Sequence, residues 1–412
     1  MTSADLDRSL AALGRPFQLI VTGGGTGGHT YPALTAIRTT SARLARLGIG
    51  LEVLWVGTAT GLEARVAERE GIPFTTVATG KIRRSSNPLK LASPANIKDM
   101  GRVPLGAVQA RAIVSDFEPD VVLSTGGYVA VPVGLATKFC RRPLVIHEQS
   151  VRLGLANRAL ARAATRVAVS SESTLPLLPE SVRSSAVVTG NPVRPEVLTG
   201  EPDKAIAALG LTGEPDKAIA ALGLTGFDRT LPTVYITGGA QGSVQINTVV
   251  RAVLPWLLTQ ANVIHQCGAA SIEESRKYAV QLPDDIKPRY LVTDFVGPEL
   301  PDVLALADVV ISRSGAGTIA ELTALGKPSI LIPLATSAGN EQEHNALYLQ
   351  EAGAAVALLR DAVAPEGLRD AVGPIISSPG ERQHMAQQAR ALGRPDAADR
   401  LAEVLLTVAT TK

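Results

Sequence analysis

Short apolar runs recur along the chain, and each is followed by a glycine-bearing turn and then by a stretch with the spacing of a helix. In the first half, between residues 17 and 190, these runs are FQLIV, LEVLWV, DVVLST, PLVIHE, RVAVS and AVVTG. In the second half, between residues 233 and 359, they are TVYITGG, NVIHQCG, YLVTDFV, DVVISRSG, PSILIPL and AAVALL. Strands that alternate with helices in this way are typical of a parallel sheet with crossover helices. The pattern therefore predicts an α/β protein with two doubly wound halves.

The two halves are separated by a proline-flanked stretch, residues 191–195, which we interpret as a hinge. It predicts an N-terminal domain over residues 1–194 and a C-terminal domain over residues 195–394. The remaining chain has helical spacing from residue 359 onward. By analogy with folds of this type, the last helix, residues 395–412, is expected to pack back on the first domain.

A tandem duplication follows the hinge. The segment LTGEPDKAIAALG occupies residues 198–210 and is repeated letter for letter at 211–223, and a third LTG stands at 224–226. Solenoids need more copies and longer units, so this is not a repeat architecture. Each copy predicts a short helix that ends at glycine. One copy suffices to lead into the next strand, so we expect the other to form a redundant surface helix.

Composition excludes several classes of protein. The formal net charge is +2 and 19% of the residues are charged, so no global field recruits nucleic acid. Two cysteines in a chain of 412 residues indicate neither a disulfide framework nor a metal cluster, and they favour a reducing cytoplasm. The N-terminus lacks a signal-peptide pattern, and no run of eighteen apolar residues predicts a membrane span. The five histidines lack ligand spacing, and the only D-x-D, at residues 5–7, precedes the first strand, so we predict no protein-built metal site.

Three glycine loops stand between a predicted strand and a predicted helix: VTGGGTGGH at 21–29, ITGGAQGS at 236–243 and SRSGAGTIAE at 312–321. Backbone N–H groups at a helix start favour anions such as phosphate. The first loop satisfies G-x-G-x-x-G, but the next strand ends in Gly57 and Thr58, where a nicotinamide enzyme needs an acid for the ribose. This argues against NAD. After the third loop, Glu321 sits about one turn beyond Thr318, where a carboxylate could accept both hydroxyls of a ribose; a solvated helix acid is the alternative.

Nine motifs of the chain resemble, in order and approximate spacing, the N-acetylglucosaminyltransferases of glycosyltransferase family 28 that make lipid II. They are GGGTGGHTYPAL, STGGYVAVPVGLA, VIHEQS, GLANRALA, TGNPVR, GGAQGS, SRSGAGTIAEL, GKPSILIPL and NEQEHNAL, and the resemblance covers roughly residues 17–358. The resemblance implies the GT-B fold, in which two Rossmann-like parallel-sheet domains face a central cleft. It implies inverting transfer of GlcNAc from UDP-GlcNAc to the 4-hydroxyl of undecaprenyl-pyrophosphoryl-MurNAc-pentapeptide (lipid I). It implies no cofactor, since UDP-GlcNAc is a substrate and Mg²⁺ from solution needs no protein-bound site.

The resemblance also assigns roles residue by residue. Residues expected to bind the donor are Thr26, Gly27, Gly28, Ser150, Arg194, Ala240, Gln241, Gly242, Val296, Ser314, Gly315, Ala316, Gly317, Thr318, Glu321 and Gln342. Residues expected to bind the acceptor are Gly24, Gly25, Gly126, Gly127, Tyr128 and Asn247. Among the donor residues, Arg194 is expected at the UDP phosphates, the backbone of Val296 at the uracil, Glu321 at the ribose and Gln342 at the GlcNAc hydroxyls.

His29, directly after the glycines, is the predicted general base, because a neutral imidazole can accept the proton of the acceptor hydroxyl. Glu148 is the second candidate. For His147 we expect a structural role instead, in a buried His–Glu pair that holds two loops together.

Three positions depart from the family pattern. Ser150 replaces the asparagine of HEQN, Ala240 replaces the serine of GGSQG, and Glu341 stands where His or Gln is common. Ser243 or the N–H of Gly242 is expected to substitute for the lost hydroxyl at residue 240. The backbone loops are unchanged, so transferase activity is expected to survive. The three departures bear instead on which donor sugar is recognised.

Residues 81–111 carry seven Lys or Arg against one acid, with apolar side chains between them. This favours peripheral attachment to an anionic surface on the cytoplasmic face of the membrane, and charge reversal at Arg83, Arg84 and Lys90 is expected to weaken it. A solvated face is the alternative reading.

Three other functions remain open from the sequence. Another GT-B glycolipid transferase would differ in donor and acceptor. An enzyme like the UDP-GlcNAc 2-epimerases would need no lipid. A non-catalytic nucleotide-sugar sensor would bind UDP-GlcNAc without turnover.

Overall fold

The structure, a computed structural model, describes residues 2–80, 94–209 and 227–411. The chain divides into two compact units. The first comprises residues 1–192 together with 396–412, and the second comprises residues 193–395. Each unit is built on its own parallel sheet, which confirms the predicted α/β class with two Rossmann-like halves.

The sheet of the first unit has seven parallel strands in the order β3-β2-β1-β4-β5-β6-β7. The strands are β1 (Phe17–Gly23), β2 (Leu51–Gly57), β3 (Phe74–Thr76), β4 (Val121–Gly126), β5 (Leu144–Glu148), β6 (Arg166–Val169) and β7 (Val187–Val188). The central strands are buried along their whole length because helices cover both faces, which explains their continuous apolar runs. The order places β1, β4 and β5 side by side, so the loops after these three strands meet at one edge of the sheet.

The helices of this part of the chain are α1 (Ser3–Ala11), α2 (Gly27–Arg46), α3 (Leu62–Arg69), α4 (Pro94–Phe117), α5 (Ala130–Phe139), α6 (Leu155–Leu160) and α7 (Glu180–Arg183). Helix α1 begins with a capping box in which Thr2 and Asp5 satisfy each other's backbone N–H groups. Its buried leucines, Leu6 and Leu10, join the core that α2 and the sheet form.

The second unit has a six-stranded parallel sheet in the order β10-β9-β8-β11-β12-β13. Its strands are β8 (Thr233–Thr237), β9 (Asn262–Gln266), β10 (Tyr290–Thr293), β11 (Val309–Ser312), β12 (Ser329–Leu331) and β13 (Ala355–Ala357). Its helices are α8 (Pro202–Ala208), α9 (Val244–Leu258), α10 (Ile272–Val280), α11 (Leu300–Leu306), α12 (Ala316–Leu325), α13 (Glu341–Glu351), α14 (Pro365–Ser377) and α15 (Pro379–Leu392). Strands β8, β11 and β12 are neighbours, so the second and third glycine loops lie side by side.

The last helix, α16 (Ala397–Thr410), belongs to the first unit. It packs against α2, and its buried leucines share one core with α1 and the sheet. These leucines are Leu401, Leu405 and Leu406.

Two features differ from the sequence prediction or lie beyond its test. Strand β3 was not predicted, because its letters, FTT, contain one apolar residue and none of the three is buried, so it leaves no apolar run. Helix α8 lies within the first copy of the duplicated segment. The second copy lies outside the described residues, as do residues 81–93 of the basic segment.

Candidate active site

The first glycine loop is tied down by one buried carboxylate. Glu63, at the start of α3, is fully buried, and its two oxygens accept three hydrogen bonds. Oε2 accepts the N–H of Gly25 at 2.9 Å, and Oε1 accepts the N–H and the hydroxyl of Thr58 at 3.0 and 2.6 Å. Burial raises the pKa of Glu63, but the Thr58 hydroxyl and these N–H donors outweigh it and hold the pKa below its usual range. The carboxylate therefore stays ionised and clamps the loops after β1 and β2.

Glycine is required around this carboxylate. A Cβ at Gly24 or at Gly61 would lie 2.2 Å from atoms of the Glu63 carboxyl group. A Cβ at Gly127 would lie 2.6 Å from the carbonyl oxygen of Gly24, so the loop after β4 packs directly on the first loop. Of the five glycines in the first loop, Gly24 is therefore required by this packing, and Gly25 donates its N–H to Glu63.

Helix α2 begins after this loop without a side-chain cap. Thr26 occupies the N-cap position and makes no capping hydrogen bond with its side chain. Orphan N–H groups at an uncapped helix start are available to an anion. The predicted contacts Gly27 and Gly28 stand in this first turn, half-exposed.

His29 lies at one end of a chain of hydrogen bonds. Its Nδ1 is 3.1 Å from Oε1 of Gln149. Nε2 of Gln149 is 3.1 Å from Nδ1 of His147 and also donates to the carbonyl oxygen of His147 at 3.0 Å. Nε2 of His147 is 2.9 Å from the carbonyl oxygen of Gly190. The structure thus joins the predicted base to two buried side chains, His147 within β5 and Gln149 directly after it.

Gly126 and Thr125 complete the surroundings of His29. The position of a Cβ at Gly126 is 3.1 Å from Cε1 of the imidazole, so the ring rests against bare backbone. The Thr125 hydroxyl donates to the carbonyl oxygen of His29 at 3.0 Å. Tyr128, the predicted acceptor contact, follows on the same loop with 47% of its surface exposed.

Glu148 is engaged in holding its own loop. Its carboxylate accepts the N–H of Ser150 at 3.1 Å, the N–H of Gly154 at 2.8 Å and Nδ2 of Asn157 at 3.0 Å. Burial raises its pKa, and the donors from Gly154, Asn157 and Ser150, together with nearby His29, act against that rise. Glu148 and His147 therefore each hold a loop, as expected for a structural pair, but through different partners. This geometry favours His29 over Glu148 as the base.

In the second unit, Arg194 and Glu321 form an ion pair, with Nη2 donating to Oε1 at 3.0 Å. Burial raises the pKa of Glu321, and Arg194 acts against that rise. Helix α12 carries Glu321 and has Gly315 at its N-cap position. Like α2, it therefore begins without a side-chain cap. An uncapped helix start, an arginine and a carboxylate one turn inside are the groups that a nucleoside diphosphate requires.

The second glycine loop is engaged internally. Ser243 caps α9 by accepting the N–H of Ile246 at 3.3 Å, and its hydroxyl also accepts Nη2 of Arg313 at 2.7 Å. The N–H of Gly242 donates to the carbonyl oxygen of Gly239 at 2.9 Å. Both groups that were expected to replace the serine lost at Ala240 are therefore already bonded. Ala240 and Gln241 themselves are exposed at the tip of the loop.

The remaining donor residues are placed as follows. The N–H of Val296 donates to Oε1 of Gln266 at 2.8 Å, so a contact with uracil falls to its carbonyl oxygen. Gln342 accepts the N–H of Leu334 with its Oε1 at 3.0 Å, and its carbonyl oxygen accepts the Ser314 hydroxyl at 2.7 Å. These bonds hold α13 against the third glycine loop, in which Ala316, Gly317 and Thr318 are half-exposed.

Two predicted contacts lie deeper than expected. Ser150 is buried in the first unit. Asn247 is also buried, and its amide is used on both sides: Nδ2 donates to the carbonyl oxygen of Cys267 at 2.9 Å and Oδ1 is 3.0 Å from Nε2 of His265. This arrangement favours the alternative reading of Asn247 as a structural polar residue.

Sequence reasoning missed Glu63, Gln149 and Asn157. Gln149 stands inside the VIHEQS motif, directly after His147 and Glu148, and could have been found there. Asn157 likewise stands inside the GLANRALA motif, whereas Glu63 gave no comparable signal, because a single acid on a helix is ordinary. Among the described residues, no group of three or more His, Cys, Asp or Glu is placed to hold a metal.

The comparisons with known proteins identify the family of the chain. Residues 19–169 match the model of the glycosyltransferase family 28 N-terminal domain, and residues 233–401 match that of the C-terminal domain. The UDP-N-acetylglucosamine–N-acetylmuramyl-(pentapeptide) pyrophosphoryl-undecaprenol N-acetylglucosamine transferase of Halalkalibacterium halodurans is 34% identical over 395 residues, which cover 95% of this chain and 99% of the relative. The crystal structure of Acinetobacter baumannii MurG is 25% identical, covers 95% of this chain and 100% of its own, and has a TM-score of 0.70.

Two parallel-sheet units with glycine loops at their strand ends, matched by both family models, define a GT-B glycosyltransferase of family 28. Within that class, the chain belongs to the family of the N-acetylmuramyl-(pentapeptide) pyrophosphoryl-undecaprenol N-acetylglucosamine transferases. The UDP-GlcNAc 2-epimerase of Neisseria meningitidis, solved with UDP-GlcNAc, has a TM-score of 0.62 at 16% identity and shares the fold alone.

Proposed function

We propose that this chain transfers GlcNAc from UDP-GlcNAc to the 4-hydroxyl of lipid I and so forms lipid II for peptidoglycan. The observation that carries the proposal is the match over 95% of the chain to a transferase of that name. The three glycine loops and His29 supply the chemical groups that this reaction needs.

The second unit is the proposed donor site. The uncapped start of α12 and the guanidinium of Arg194 would bind the diphosphate, and Glu321 would accept the ribose hydroxyls. Charge grows on UDP as the glycosidic bond breaks, and preorganised donors stabilise it without reorganisation. We propose that this stabilisation comes from the protein's N–H groups and Arg194, with no protein-built metal site.

The first unit is the proposed acceptor site. The uncapped start of α2, where Thr26, Gly27 and Gly28 were predicted to bind the donor, is assigned in this proposal to the pyrophosphate of the lipid. Tyr128 and the backbone of Gly126 and Gly127 would line the acceptor sugar. His29 would accept the proton of the 4-hydroxyl as that oxygen attacks the anomeric carbon and UDP departs. Removing a general base typically costs roughly 10²–10⁴-fold in rate.

Peripheral attachment to an anionic membrane is part of the proposal. Helices α4 and α5 pack together, and both expose large apolar side chains, Leu105 and Val108 on α4 and Leu135 and Phe139 on α5. Exposed basic side chains stand beside them, namely Arg111, Lys138 and Arg141. Such a surface gains roughly 1 kcal/mol per basic residue near anionic lipid. No helix of the described chain is long and apolar enough to span a bilayer.

The membrane arm is tested by co-sedimentation with vesicles of anionic and of zwitterionic lipid. Arg111→Glu combined with Phe139→Ser should lower binding to anionic vesicles, and Lys277→Glu in the second unit is the matched control. Equal binding of all three proteins would refute the proposed surface.

The transferase arm is tested by UDP release from UDP-GlcNAc with and without a lipid I analogue, for wild type and His29→Ala. Acceptor-dependent release that collapses in the variant supports both the reaction and the base. Release without acceptor would indicate an epimerase or hydrolase, and binding without release would indicate a sensor. A fully active variant would remove His29 from the role of base.

A further inference from the structure

A histidine can act as a base only through a ring nitrogen that carries a lone pair. In the neutral imidazole one nitrogen carries the proton and the other is the acceptor, and the partner of one nitrogen decides the role of the other. The hydrogen-bond chain behind His29 settles this choice, because it ends on two groups whose roles are fixed.

The first fixed group is the backbone carbonyl oxygen of His147, which can only accept. It lies 3.0 Å from Nε2 of Gln149, so the amide nitrogen of Gln149 must face it. The orientation of the Gln149 amide follows, and its Oε1 faces Nδ1 of His29 at 3.1 Å.

The second fixed group is the carbonyl oxygen of Gly190, 2.9 Å from Nε2 of His147. This nitrogen must donate, so Nδ1 of the neutral His147 ring is an acceptor, and it lies 3.1 Å from the second N–H of the Gln149 amide. Burial lowers the pKa of His147 to about 4, so the ring is neutral at physiological pH. Both carbonyl oxygens therefore demand the same orientation of Gln149.

Oε1 of Gln149 is an acceptor, so Nδ1 of His29 has to donate to it. The neutral ring of His29 then carries its lone pair on Nε2. Within the described chain no hydrogen bond engages that nitrogen, while Nδ1 points to a side chain that is only 3% exposed.

We propose that Gln149 is a positioning residue that, backed by His147, holds His29 in the Nδ1–H tautomer and so presents the Nε2 lone pair to the acceptor hydroxyl. The inference rests on the proposed role of His29 as base. A neutral amide suits this task, since a carboxylate in its place would stabilise the imidazolium and leave less neutral base near pH 7.

The direct test measures the tautomer without turnover. Long-range ¹H–¹⁵N correlation spectra of the uniformly labelled protein distinguish a protonated Nδ1 from a protonated Nε2, and His29→Ala assigns the resonances. The expected result is Nδ1–H for His29 in wild type and a mixture of tautomers in Gln149→Leu. Asn157→Leu is the matched control, because it removes two buried hydrogen bonds at the same strand end, one of them to the same carbonyl oxygen of His147, but leaves Gln149 in place opposite Nδ1 of His29. An Nε2–H tautomer of His29 in wild type would overturn the proposal. So would an Nδ1–H tautomer that remains unchanged in Gln149→Leu.

A kinetic test separates this inference from the proposed function. Gln149→Leu should lower kcat with lipid I analogue by about 10-fold or more, less than the loss of the base itself, and Gln149→Glu should recover part of it by restoring an acceptor opposite Nδ1. Thermal unfolding shows whether each variant is folded. Full activity of Gln149→Leu beside an inactive His29→Ala would refute the positioning role and leave the base intact, whereas an active His29→Ala would refute the base.

Discussion

The ion pair between Arg194 and Glu321 shows how the surroundings of a residue can favour one of the two interpretations that the sequence leaves open. A glutamate on a helix is ordinarily solvated, but only 21% of this side chain is exposed and its partner reaches it from outside the helix. A half-buried carboxylate that faces one arginine keeps acceptor capacity for further donors, such as two ribose hydroxyls.

Glu321→Gln should therefore weaken binding of UDP-GlcNAc by roughly 10- to 100-fold, since hydrogen bonds to charged groups contribute about 1.5–3 kcal/mol. Isothermal titration calorimetry checks this, with Glu351→Gln, an exposed glutamate at the end of α13, as the control. Burial raises the pKa of Glu321, so the wild-type affinity should begin to fall with decreasing pH above the usual glutamate value of 4.5. Unchanged affinity in the variant would exclude the ribose role.

At the scale of elements, the loops after β1 and β2 and the first turn of α3 form one assembly around Glu63. The clamp leaves Gly25 no free N–H and ties the loop after β1 to the loop after β2. The clamp supports the proposed acceptor site from beneath the loop. Its loss should therefore lower kcat/KM for the lipid acceptor more than it lowers the affinity for the donor.

Glu63→Gln places an amide N–H₂ against N–H donors and leaves at least one of them unsatisfied, which costs about 1–3 kcal/mol. We expect a lower thermal midpoint and a lower kcat/KM for the lipid acceptor, with donor affinity unchanged. Glu68→Gln, exposed on the same helix, is the control. An equal loss of donor affinity would contradict a role confined to the first unit.

One copy of the duplicated segment is expected to be sufficient for folding and activity. Helix α8 buries Ala205 and Ile206 in a core with α11, so the first copy fills a place in the second unit. Because the copies are identical, deleting residues 198–210 or 211–223 gives the same protein, and the remaining copy can occupy that place. The deletion should retain the thermal midpoint and acceptor-dependent UDP release. Loss of either would show that both copies are needed.

The elements were the most predictable part of the molecule, and the hydrogen bonds the least. Twelve apolar runs predicted strands, and all but β3 were found this way, because buried parallel strands leave continuous apolar letters. The glycine loops and the placement of His29 also followed from the sequence. The clamp of Glu63 and the amide relay through Gln149 did not, because they depend on atoms brought together from distant positions by the order of the strands.

At the scale of the whole molecule, each unit contains one fully buried neutral histidine and one tryptophan. His147 and Trp55 belong to the first unit, and His265 and Trp256 belong to the second. Burial lowers the pKa of both histidines to about 4, although their reference value is 6.5. The two tryptophans are the only ones in the sequence, so a variant that lacks one of them reports the unit of the other by fluorescence.

This pairing predicts how acid destabilises each unit. Between pH 6.5 and 4 the unfolded chain binds a proton at the histidine and the folded protein does not. The free energy of unfolding therefore decreases by about 1.4 kcal/mol for each step of one in pH toward acid, which amounts to about 3 kcal/mol for each histidine over this range. Buried carboxylates with raised pKa, such as Glu148 and Glu321, act in the opposite sense, so the comparison must be made between wild type and a variant.

His265→Gln isolates the contribution in the second unit. It should be less stable than wild type at pH 7.5, because Asn247 and Tyr290 lose a buried partner, but the difference should narrow as the pH falls from 6.5 toward 4. Urea unfolding in a Trp55→Phe background follows Trp256 alone and measures this difference at each pH. His384→Gln, which changes an exposed histidine, should keep the wild-type slope. A constant difference across this pH range would mean that His265 becomes protonated in the folded unit as readily as in the unfolded chain, and that its burial does not control the acid stability of the second unit.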